Sequence, residues 1–205
     1  MIHQAGLTPW IRFYDQTTVK KGKKVVPSSV YYRPKQQGNF TLAVTEKLFL
    51  RKDIADSIRK QIKDSPLLAS TDYRYSDLGF YLISDMINRQ TGLPIEDYVQ
   101  QTFYRPLGLQ TAGYNPWKRF PINMMPPTEE DHYFRDQEIQ GYVHDMGAAM
   151  LNGSSGHAGL FADARDLAVI MQMLLQKGYY GGHQYIRPET VVQFTTRHPK
   201  STRRG

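Results

Sequence analysis

The chain has 205 residues, of which 40% are hydrophobic and 22% are charged. This length fits one domain or a large part of one, and the composition is that of a folded protein with a core rather than of a disordered chain. The sequence contains no cysteine. Disulfides, thiol catalysis and zinc–thiolate sites are therefore excluded.

The formal net charge is +7, and much of the excess is local. Four lysines lie between Lys20 and Lys24, and two arginines, Arg203 and Arg204, lie near the end. Basic patches bind nucleic acids or acidic surfaces, but no motif of an RNA- or DNA-binding fold accompanies them here. We interpret them as a solvated hairpin tip and a chain end, and we predict no nucleic-acid partner. A basic nucleic-acid-binding module remains an alternative, which a steep salt dependence of DNA binding would indicate.

The sequence gives no sign of a membrane span or of a targeting segment. No apolar run approaches the roughly 20 residues that a transmembrane helix needs. The first residues, MIHQAGL, lack a basic start followed by an apolar stretch, so no signal peptide is predicted. We find no internal repeat and no low-complexity tract.

Two elements are predicted early in the chain. Residues 17–26 form two short arms around Gly22, which predicts a β-hairpin or a long loop. A helix is predicted over about residues 52–63, because isoleucines recur every four residues on one face. These isoleucines are Ile54, Ile58 and Ile62.

Two more helices are predicted in the middle of the chain. The first starts near Asp77 and ends at Gly92, a residue type that suits the position after a helix. The second starts at Pro94, with acidic residues in its first turn, and ends before Pro106.

The second half of the chain is predicted to begin with a loop and to end in helices. Residues 108–150 are predicted to be mostly loop, with prolines concentrated between Pro116 and Pro127. Asp163 then caps a helix that stops at Gly178, and a last short helix begins at Pro188. Strands are scarce and do not alternate with helices, so the sequence predicts a mainly helical segment without βαβ units.

The tripeptide Tyr75-Ser76-Asp77 stands at the mouth of a predicted helix. Serine and aspartate are both strong N-cap residues, so one interpretation is an aromatic core contact followed by a helix cap. The other is a tyrosine general base at an active site. A phenol with a pKa of about 10 needs a neighbouring cation to act as phenolate near neutral pH. Asp77 would hold such a cation by a charge-assisted hydrogen bond.

The histidines predict no metal site, because no pair has the spacing of a helical metal motif. The dipeptide His144-Asp145 would be a base and its orienter, but adjacent residues rarely face each other in regular structure. The stretch GSSGHAGLF, residues 153–161, is either a tight glycine turn or a wall beside a pocket. Ser154 and Ser155 do not lie in a G-x-S-x-G elbow, which argues against a nucleophile there.

Residues 75–116 resemble the serine hydrolases related to class C β-lactamases and penicillin-binding proteins. That family has a Y-S-N-like motif that opens a helix, then T-G, an acidic–aromatic helix, and P-L-G-M followed by a threonine. The equivalents in this chain are Tyr75-Ser76-Asp77, Thr91-Gly92, Asp97-Tyr98 and Pro106-Leu107-Gly108-Leu109 with Thr111.

Other segments extend this resemblance over most of the chain, in the right order. The stretch IHQAGLTPW, residues 2–10, is similar to the family loop L-L-x-H-x-S-G-L. Residues 156–175 are similar to its G-G-L-x-S-T-x-x-D-L-A helix start. The series PTEEDHYFR, GYVHD and GHAGLF, within residues 127–161, is most similar to a bacterial envelope branch. Some members of that branch are fused behind a family 3 glycoside hydrolase domain.

The resemblance implies an α+β β-lactamase/transpeptidase-like fold. Residues 1–205 would be a partial domain: its mainly α segment, a helical subdomain with most of the antiparallel sheet missing. Tyr75 would take the proton of a nucleophilic serine and return it to the leaving group. Ser76 would cap the helix, and Asp77 would anchor a lysine. The resemblance implies no cofactor and no metal, and it leaves the substrate-binding residues unknown.

The chain departs from the family pattern in its nucleophile and third motifs. The family nucleophile lies in an S-x-x-K motif before the loop matched by residues 2–10, and no such motif precedes that loop here. Ser57-Ile58-Arg59-Lys60 has the spacing but follows the loop on an amphipathic helix, so we interpret it as chance. His157-Ala158-Gly159 imitates the third motif, K-T-G or H-x-G, but leads into a helix and is rejected. Both flanks of the α/β part are therefore expected to be missing, with Met1 an internal residue of a longer protein.

Two expectations follow for the chain by itself. Without a nucleophile it should not catalyse hydrolysis. Without the sheet, some apolar helix surface should face water, at a cost of about 25 cal/mol per Å², so the chain should be marginally stable and prone to associate. The faces in question are Ile54/Ile58/Ile62 and Leu167/Ile170/Leu174.

For the whole protein, the resemblance implies a hydrolase in the periplasm or cell envelope of a bacterium. Its substrate would be a small ester or amide, or a peptidoglycan-like molecule. Asp77 replaces the usual asparagine of the family, which favours an esterase, peptidase or amidase over a β-lactamase. The alternative is a catalytically dead cell-wall or carbohydrate-binding module, or an accessory domain of an envelope glycoside hydrolase.

Overall fold

The computed structural model describes residues 3–70 and 72–197, which form helices joined by short antiparallel strands. Met1, Arg203 and Arg204 lie outside these residues. No helix within the described ranges is long and apolar enough to cross a membrane. The six α-helices of this part are α1 (Ile54–Asp64), α2 (Leu78–Thr91), α3 (Ile95–Val99), α4 (Met146–Met150), α5 (Ala164–Leu175) and α6 (Pro188–Thr195).

The strands form four small antiparallel sheets, three of them two-stranded hairpins and one a three-stranded sheet in the order β3-β5-β4. The hairpins are β1-β2, β6-β7 and β8-β9. The strands are β1 (Thr18–Lys21), β2 (Lys24–Pro27), β3 (Tyr32–Arg33), β4 (Phe40–Thr45), β5 (Leu48–Arg51), β6 (Pro127–Asp131), β7 (Gln137–Gln140), β8 (Tyr179–Tyr180) and β9 (His183–Gln184).

The hairpin predicted over residues 17–26 is confirmed as β1-β2, and the chain is mainly helical, with about 37% helix and 19% strand. The expectation that strands are scarce is wrong for residues 32–51 and 127–140. These strands have two to six residues each, and register shifts interrupt both the β4-β5 and the β6-β7 pairing. Because strands are read from an alternation of period two, such interruptions hide them in the sequence.

The missed sheet changes the surroundings of α1. We expected Ile54, Ile58 and Ile62 to face water in part, but they are only 8%, 1% and 3% exposed. They belong to a core cluster that includes Val44 of β4 and Leu50 of β5, both fully buried. The expectation is therefore wrong, because the β3-β5-β4 sheet contributes to the core into which this apolar face packs.

The other predicted helices are confirmed, and the predicted end signals at Gly92 and Asp163 are seen. Gly92 takes the left-handed conformation after α2, with φ 71°, and its N–H donates to Asn88 O. α3 continues as a π-helix over Gln100–Tyr104, before Pro106. The Asp163 side chain accepts a hydrogen bond from Asp166 N at 2.8 Å at the start of α5, as its cap position predicts.

α5 packs on one face only. Ile170 and Leu174 pack against a second cluster formed with Leu107 and Leu109, where they are partly buried. The other face remains in water, as expected for Leu167. Its apolar residues are Leu167, Met171 and Leu175, which are 42%, 52% and 79% exposed.

The Asp166 carboxylate ties α5 to the loop after the Pro-Leu-Gly-Leu motif. It accepts the N–H groups of Gln110, Thr111 and Ala112 at 3.2, 2.6 and 2.7 Å, and the Thr111 hydroxyl at 2.8 Å. Burial opposes its ionisation, but these four donors outweigh burial and lower the pKa of Asp166 below its ordinary value. Two motifs that resemble the family, more than fifty residues apart, thus meet in one buried contact.

We expect Asp166→Ala to lower the free energy of unfolding by at least about 3 kcal/mol, because three backbone N–H groups lose their acceptor. Because the folded-state pKa of Asp166 is lowered, its contribution is present above the ordinary aspartate pKa and is lost as pH falls through the lowered value. Urea denaturation at several pH values measures both effects. Asp163→Ala, which removes one capping bond, is the control and should cost about 1 kcal/mol. Equal stability of the two variants would contradict this role.

Candidate active site

Tyr75 is held at the start of α2 by the residue that follows it. The buried Ser76 Oγ donates to Thr8 O at 2.7 Å and accepts Leu78 N at 3.2 Å. The Ser76 N–H donates to His3 Nδ1 at 3.3 Å. Ser76 is thus occupied in joining the N-terminal segment to the helix start, while the Tyr75 side chain stays in solvent, with 54% of the residue exposed.

The hydroxyl of Tyr75 donates to Asp77 Oδ1 at 2.7 Å. This hydrogen bond, together with partial burial and nearby negative charge, raises the pKa of Tyr75 to about 12. The Asp77 side chain makes no capping hydrogen bond to α2, so a helix cap does not account for it. No lysine or arginine in the described ranges forms an ion pair with Asp77. In this arrangement Tyr75 is a protonated donor at neutral pH.

His3 is a site residue that sequence reasoning did not single out, apart from its place in the family-like loop. Its ring lies 4.6 Å from the ring of Tyr75, 5.7 Å from Tyr73 and 5.9 Å from Phe80, between centroids. His3 is buried, and its Nε2 has no hydrogen-bond partner among the described residues. It therefore supports one side of the Tyr75 ring.

A second group of polar side chains, Asp145, His157 and Ser155, lies near Tyr75. The sequence pattern did not connect these residues. His157 Nε2 donates to Asp145 Oδ1 at 2.8 Å, and His157 Nδ1 lies 3.0 Å from Ser155 Oγ. Burial opposes ionisation of Asp145, but His157 and the Ala148 N–H lower its pKa below the ordinary value. The suggested His144-Asp145 partnership is not seen, because Asp145 turns to His157. Ser155 is only 1% exposed, so it is not an accessible nucleophile.

The Tyr81 ring links this group to α2. It stacks on the His157 ring at 4.1 Å between centroids, with 21° between the planes. The contact depends on Gly147, where a Cβ would lie 1.8 Å from the Tyr81 hydroxyl, and on Gly156, where a Cβ would lie 2.4 Å from Phe80 O. Only glycine leaves enough room at these two positions. The order of residues in the sequence does not reveal this requirement.

A buried ion pair fixes the segment that carries Asp145. The side chains of Asp131 and Arg135 are both 0% exposed and hydrogen-bonded to each other. Arg135 also donates to the carbonyl oxygens of Val143 and His144. Asp131 accepts two N–H groups of the turn that follows it, at 2.9 and 2.8 Å. Asp145 directly follows Val143 and His144, whose carbonyl oxygens accept these hydrogen bonds from Arg135.

An open cavity lies on the other side of His157. Its volume is about 660 Å³, a size typical of small-molecule sites. Most of its wall is apolar, and residues 157–161 form part of it, so this stretch is a pocket wall as well as a turn. The apolar and polar groups that line it include Phe120, Met124, Met125, Phe161, His144 and Thr128.

The other candidate groups are engaged elsewhere. Ser57 Oγ lies 3.4 Å from Gln61 Nε2, and Lys60 pairs with Asp64, so this S-x-x-K spacing forms no serine–lysine contact. Ser154 Oγ is hydrogen-bonded to a carboxylate of α3. Within residues 3–70 and 72–197, no group of three or more His, Asp or Glu side chains could hold a metal ion.

Comparison with known proteins supports the fold. A crystal structure of D-amino acid amidase from Ochrobactrum anthropi SV3, complexed with L-phenylalanine amide, superposes with a TM-score of 0.51 at 14% identity, covering 95% of this chain and 45% of that one. A crystal structure of SurE gives 0.54 at 12% identity, covering 97% and 38%. At such identity the likeness concerns the fold alone. The fold is that of β-lactamase/transpeptidase-like proteins.

Sequence comparison gives the family. The family model described as beta-lactamase matches residues 2–205, so the chain belongs to the β-lactamase family. A protein named as a D-alanyl-D-alanine carboxypeptidase from Salmonella paratyphi B is 36% identical over an alignment of 160 residues that covers 71% of this chain. One of the same name from Salmonella newport gives the same values. The chain spans 37% of the length of these relatives. The relation to serine hydrolases and penicillin-binding proteins is confirmed.

We expect the Asp77 carboxylate to be the main cause of the high pKa of Tyr75. Asp77→Asn should therefore lower the Tyr75 pKa from about 12 toward the ordinary tyrosine value of about 10. NMR titration of tyrosines labelled at the ring ζ carbon measures this, with Tyr75→Phe to assign the signal. Asp72→Asn, in the same loop, is the control and should leave the value unchanged. An unchanged Tyr75 pKa in Asp77→Asn would contradict the hydrogen bond.

Proposed function

We propose that this chain supplies the tyrosine base of a serine hydrolase that acts through an acyl-enzyme. The observation that carries the proposal is the placement of Tyr75. Its backbone is anchored by Ser76, its ring is supported by His3, and its hydroxyl faces solvent beside a carboxylate. A buried packing role does not explain an exposed phenol held in this way. Membership of the β-lactamase family supports serine hydrolase chemistry.

In the proposed mechanism, Tyr75 accepts the proton of a serine hydroxyl as that serine attacks the carbonyl carbon of the substrate. It then returns the proton to the leaving amine or alcohol. This requires phenolate, so the pKa of about 12 must fall. An opposite charge within about 4–6 Å has this effect. We propose that a lysine outside the described residues provides it and is anchored by Asp77.

The proposed substrates are amides and peptides, with esters as a related class. Two relatives support this choice: the Salmonella protein named as a D-alanyl-D-alanine carboxypeptidase and the D-amino acid amidase with a similar fold. A carboxylate at Asp77 in place of the family asparagine points the same way. A peptidoglycan-like peptide and a location in the bacterial periplasm or envelope are consistent with these relatives and belong to the proposal.

A second candidate is a catalytically inactive module that binds cell-wall material or carbohydrate, alone or beside a glycoside hydrolase domain. One observation favours it: among the described residues no cation contacts Tyr75 or Asp77, and the pKa of Tyr75 is raised rather than lowered. Rate measurements separate the two candidates, because only the hydrolase loses an activity when the base is removed.

We expect residues 1–205 alone to show no turnover of p-nitrophenyl esters, a chromogenic cephalosporin or D-Ala-D-Ala peptides. Within the described ranges, no serine hydroxyl is hydrogen-bonded to a lysine or to Tyr75, and Ser76 is engaged by Thr8. A base without a nucleophile performs no acyl transfer. Turnover that disappears in Tyr75→Phe would show that this chain contains a nucleophile and that the proposal is wrong on this point.

In the longest in-frame protein that contains residues 1–205, we expect Tyr75→Phe to lower the rate of D-Ala-D-Ala peptide hydrolysis at least about a hundredfold, the lower limit for loss of a general base. Asp77→Asn should shift the pH optimum of the same protein. Tyr73→Phe, which keeps a ring beside His3, is the matched control and should retain activity. Near-normal hydrolysis by Tyr75→Phe would leave the inactive module as the better account.

A further inference from the structure

The β1-β2 hairpin carries most of the local positive charge. Val19 pairs with Val26, Lys20 with Val25, and Lys21 with Lys24, around a tip at Gly22 and Lys23. All residues from 19 to 24 are exposed. Of the four hairpin lysines, only Lys24 forms an ion pair within the described part of the chain, with 2.8 Å between its Nζ and Asp136 Oδ2. Lys20, Lys21 and Lys23 form no ion pair there.

The hairpin brings two of its lysines close together. Lys21 and Lys24 are directly opposite each other, and like charges at such positions destabilise a hairpin. A Cβ added at Gly22 would meet nothing within 4 Å, so the tip has open space around this residue. Lysines also protect strand edges from aggregation, and three of these lysines have no ion pair within the described residues that would neutralise them.

An exposed aromatic residue lies near the base of the hairpin. Trp10 is 49% exposed, with the Arg12 guanidinium 5.5 Å from the centre of its ring. Trp10 also contacts Tyr14, at 6.4 Å between ring centroids. Tyr14 belongs to the 3-10 helix that ends at Thr17, directly before β1. Basic and exposed apolar groups are thus neighbours along one short stretch of chain.

The loop over residues 131–136 holds these parts together. Its Phe134 stacks on Tyr14 at 5.4 Å, while its Asp136 binds Lys24 of β2. This loop also exposes Tyr133 at its surface, with 58% of the residue in solvent. The hairpin and the 3-10 helix are therefore fixed against a common support.

We propose that the basic hairpin tip, with Lys20, Lys21 and Lys23, and the segment before the hairpin, with Trp10 and Arg12, bind together to the face of an anionic phospholipid bilayer. Lysines near such a face are attracted by its negative potential, and three of them together contribute about a hundredfold in binding. Tryptophan prefers the interfacial layer between headgroups and acyl chains. A nucleic acid would use the same lysines but would not require the exposed tryptophan of the preceding segment. The proposal does not depend on the proposed hydrolase activity.

Co-sedimentation of residues 1–205 with vesicles tests the charge. We expect binding to vesicles of phosphatidylglycerol mixed with phosphatidylcholine, and a loss of about a hundredfold in Lys20→Glu/Lys21→Glu/Lys23→Glu. The matched control is Lys47→Glu/Lys52→Glu/Lys63→Glu, which changes the charge equally at other exposed positions and should lose far less. Replacement of the three hairpin lysines by arginine should preserve binding. Absence of binding by the unchanged chain, or equal losses in the two glutamate variants, would overturn the proposal.

Fluorescence tests the role of Trp10. Trp117→Phe leaves Trp10 as the single tryptophan, and a phenyl ring can keep the stacking that Trp117 makes with Tyr142. We expect the emission of Trp10 to shift to shorter wavelength with anionic vesicles, to shift little with pure phosphatidylcholine, and to return as salt is raised. Duplex DNA is the competing polyanion. DNA binding that needs the hairpin lysines, without any emission shift on vesicles, would assign the surface to nucleic acid and overturn the proposal.

Discussion

The buried ion pair between Asp131 and Arg135 is the constraint on which the geometry of the candidate site depends. Removing two charges from water is tolerated only when their remaining donors and acceptors are satisfied. Arg135 meets this condition by donating to the carbonyls of Val143 and His144. The chain segment directly before Asp145 is therefore held by a residue of the β6-β7 hairpin, and the loss of either charge would free it.

This constraint gives a physical meaning to the series PTEEDHYFR, GYVHD and GHAGLF. Arg135 of the first stretch binds the carbonyls of the second, and Asp145 of the second binds His157 of the third. His157 in turn stacks on Tyr81 of α2, the helix that begins after Tyr75. Three motifs that look independent in the sequence thus form one connected support. A change in one of these motifs would therefore alter the packing around the start of α2.

The sequence predicts the helices well because their signals are local. Isoleucine periodicity, the Asp163 cap and the Gly92 stop lie within or beside the helix they define. Features that depend on contacts between segments separated by loops are poorly predicted from the sequence. The partner of Asp145 is twelve residues away in a glycine-rich stretch, and no pattern of residue types distinguishes His157 from His144 as that partner. The β3-β5-β4 sheet was not predicted, for a related reason. Its strands are short, and a shifted register interrupts the alternation of their residues.

At Tyr75 the electrostatics lead one step further. The hydrogen bond to Asp77 acts most strongly on this phenol, and the charge of Asp145 acts in the same direction, so both favour its protonated form. A base is most effective when its pKa lies near the working pH, and these carboxylates move it away. If a cation approached Asp77, the same carboxylate would bind it and no longer oppose phenolate so strongly. In the proposed hydrolase, Asp77 would therefore keep the base inactive until the lysine is in place.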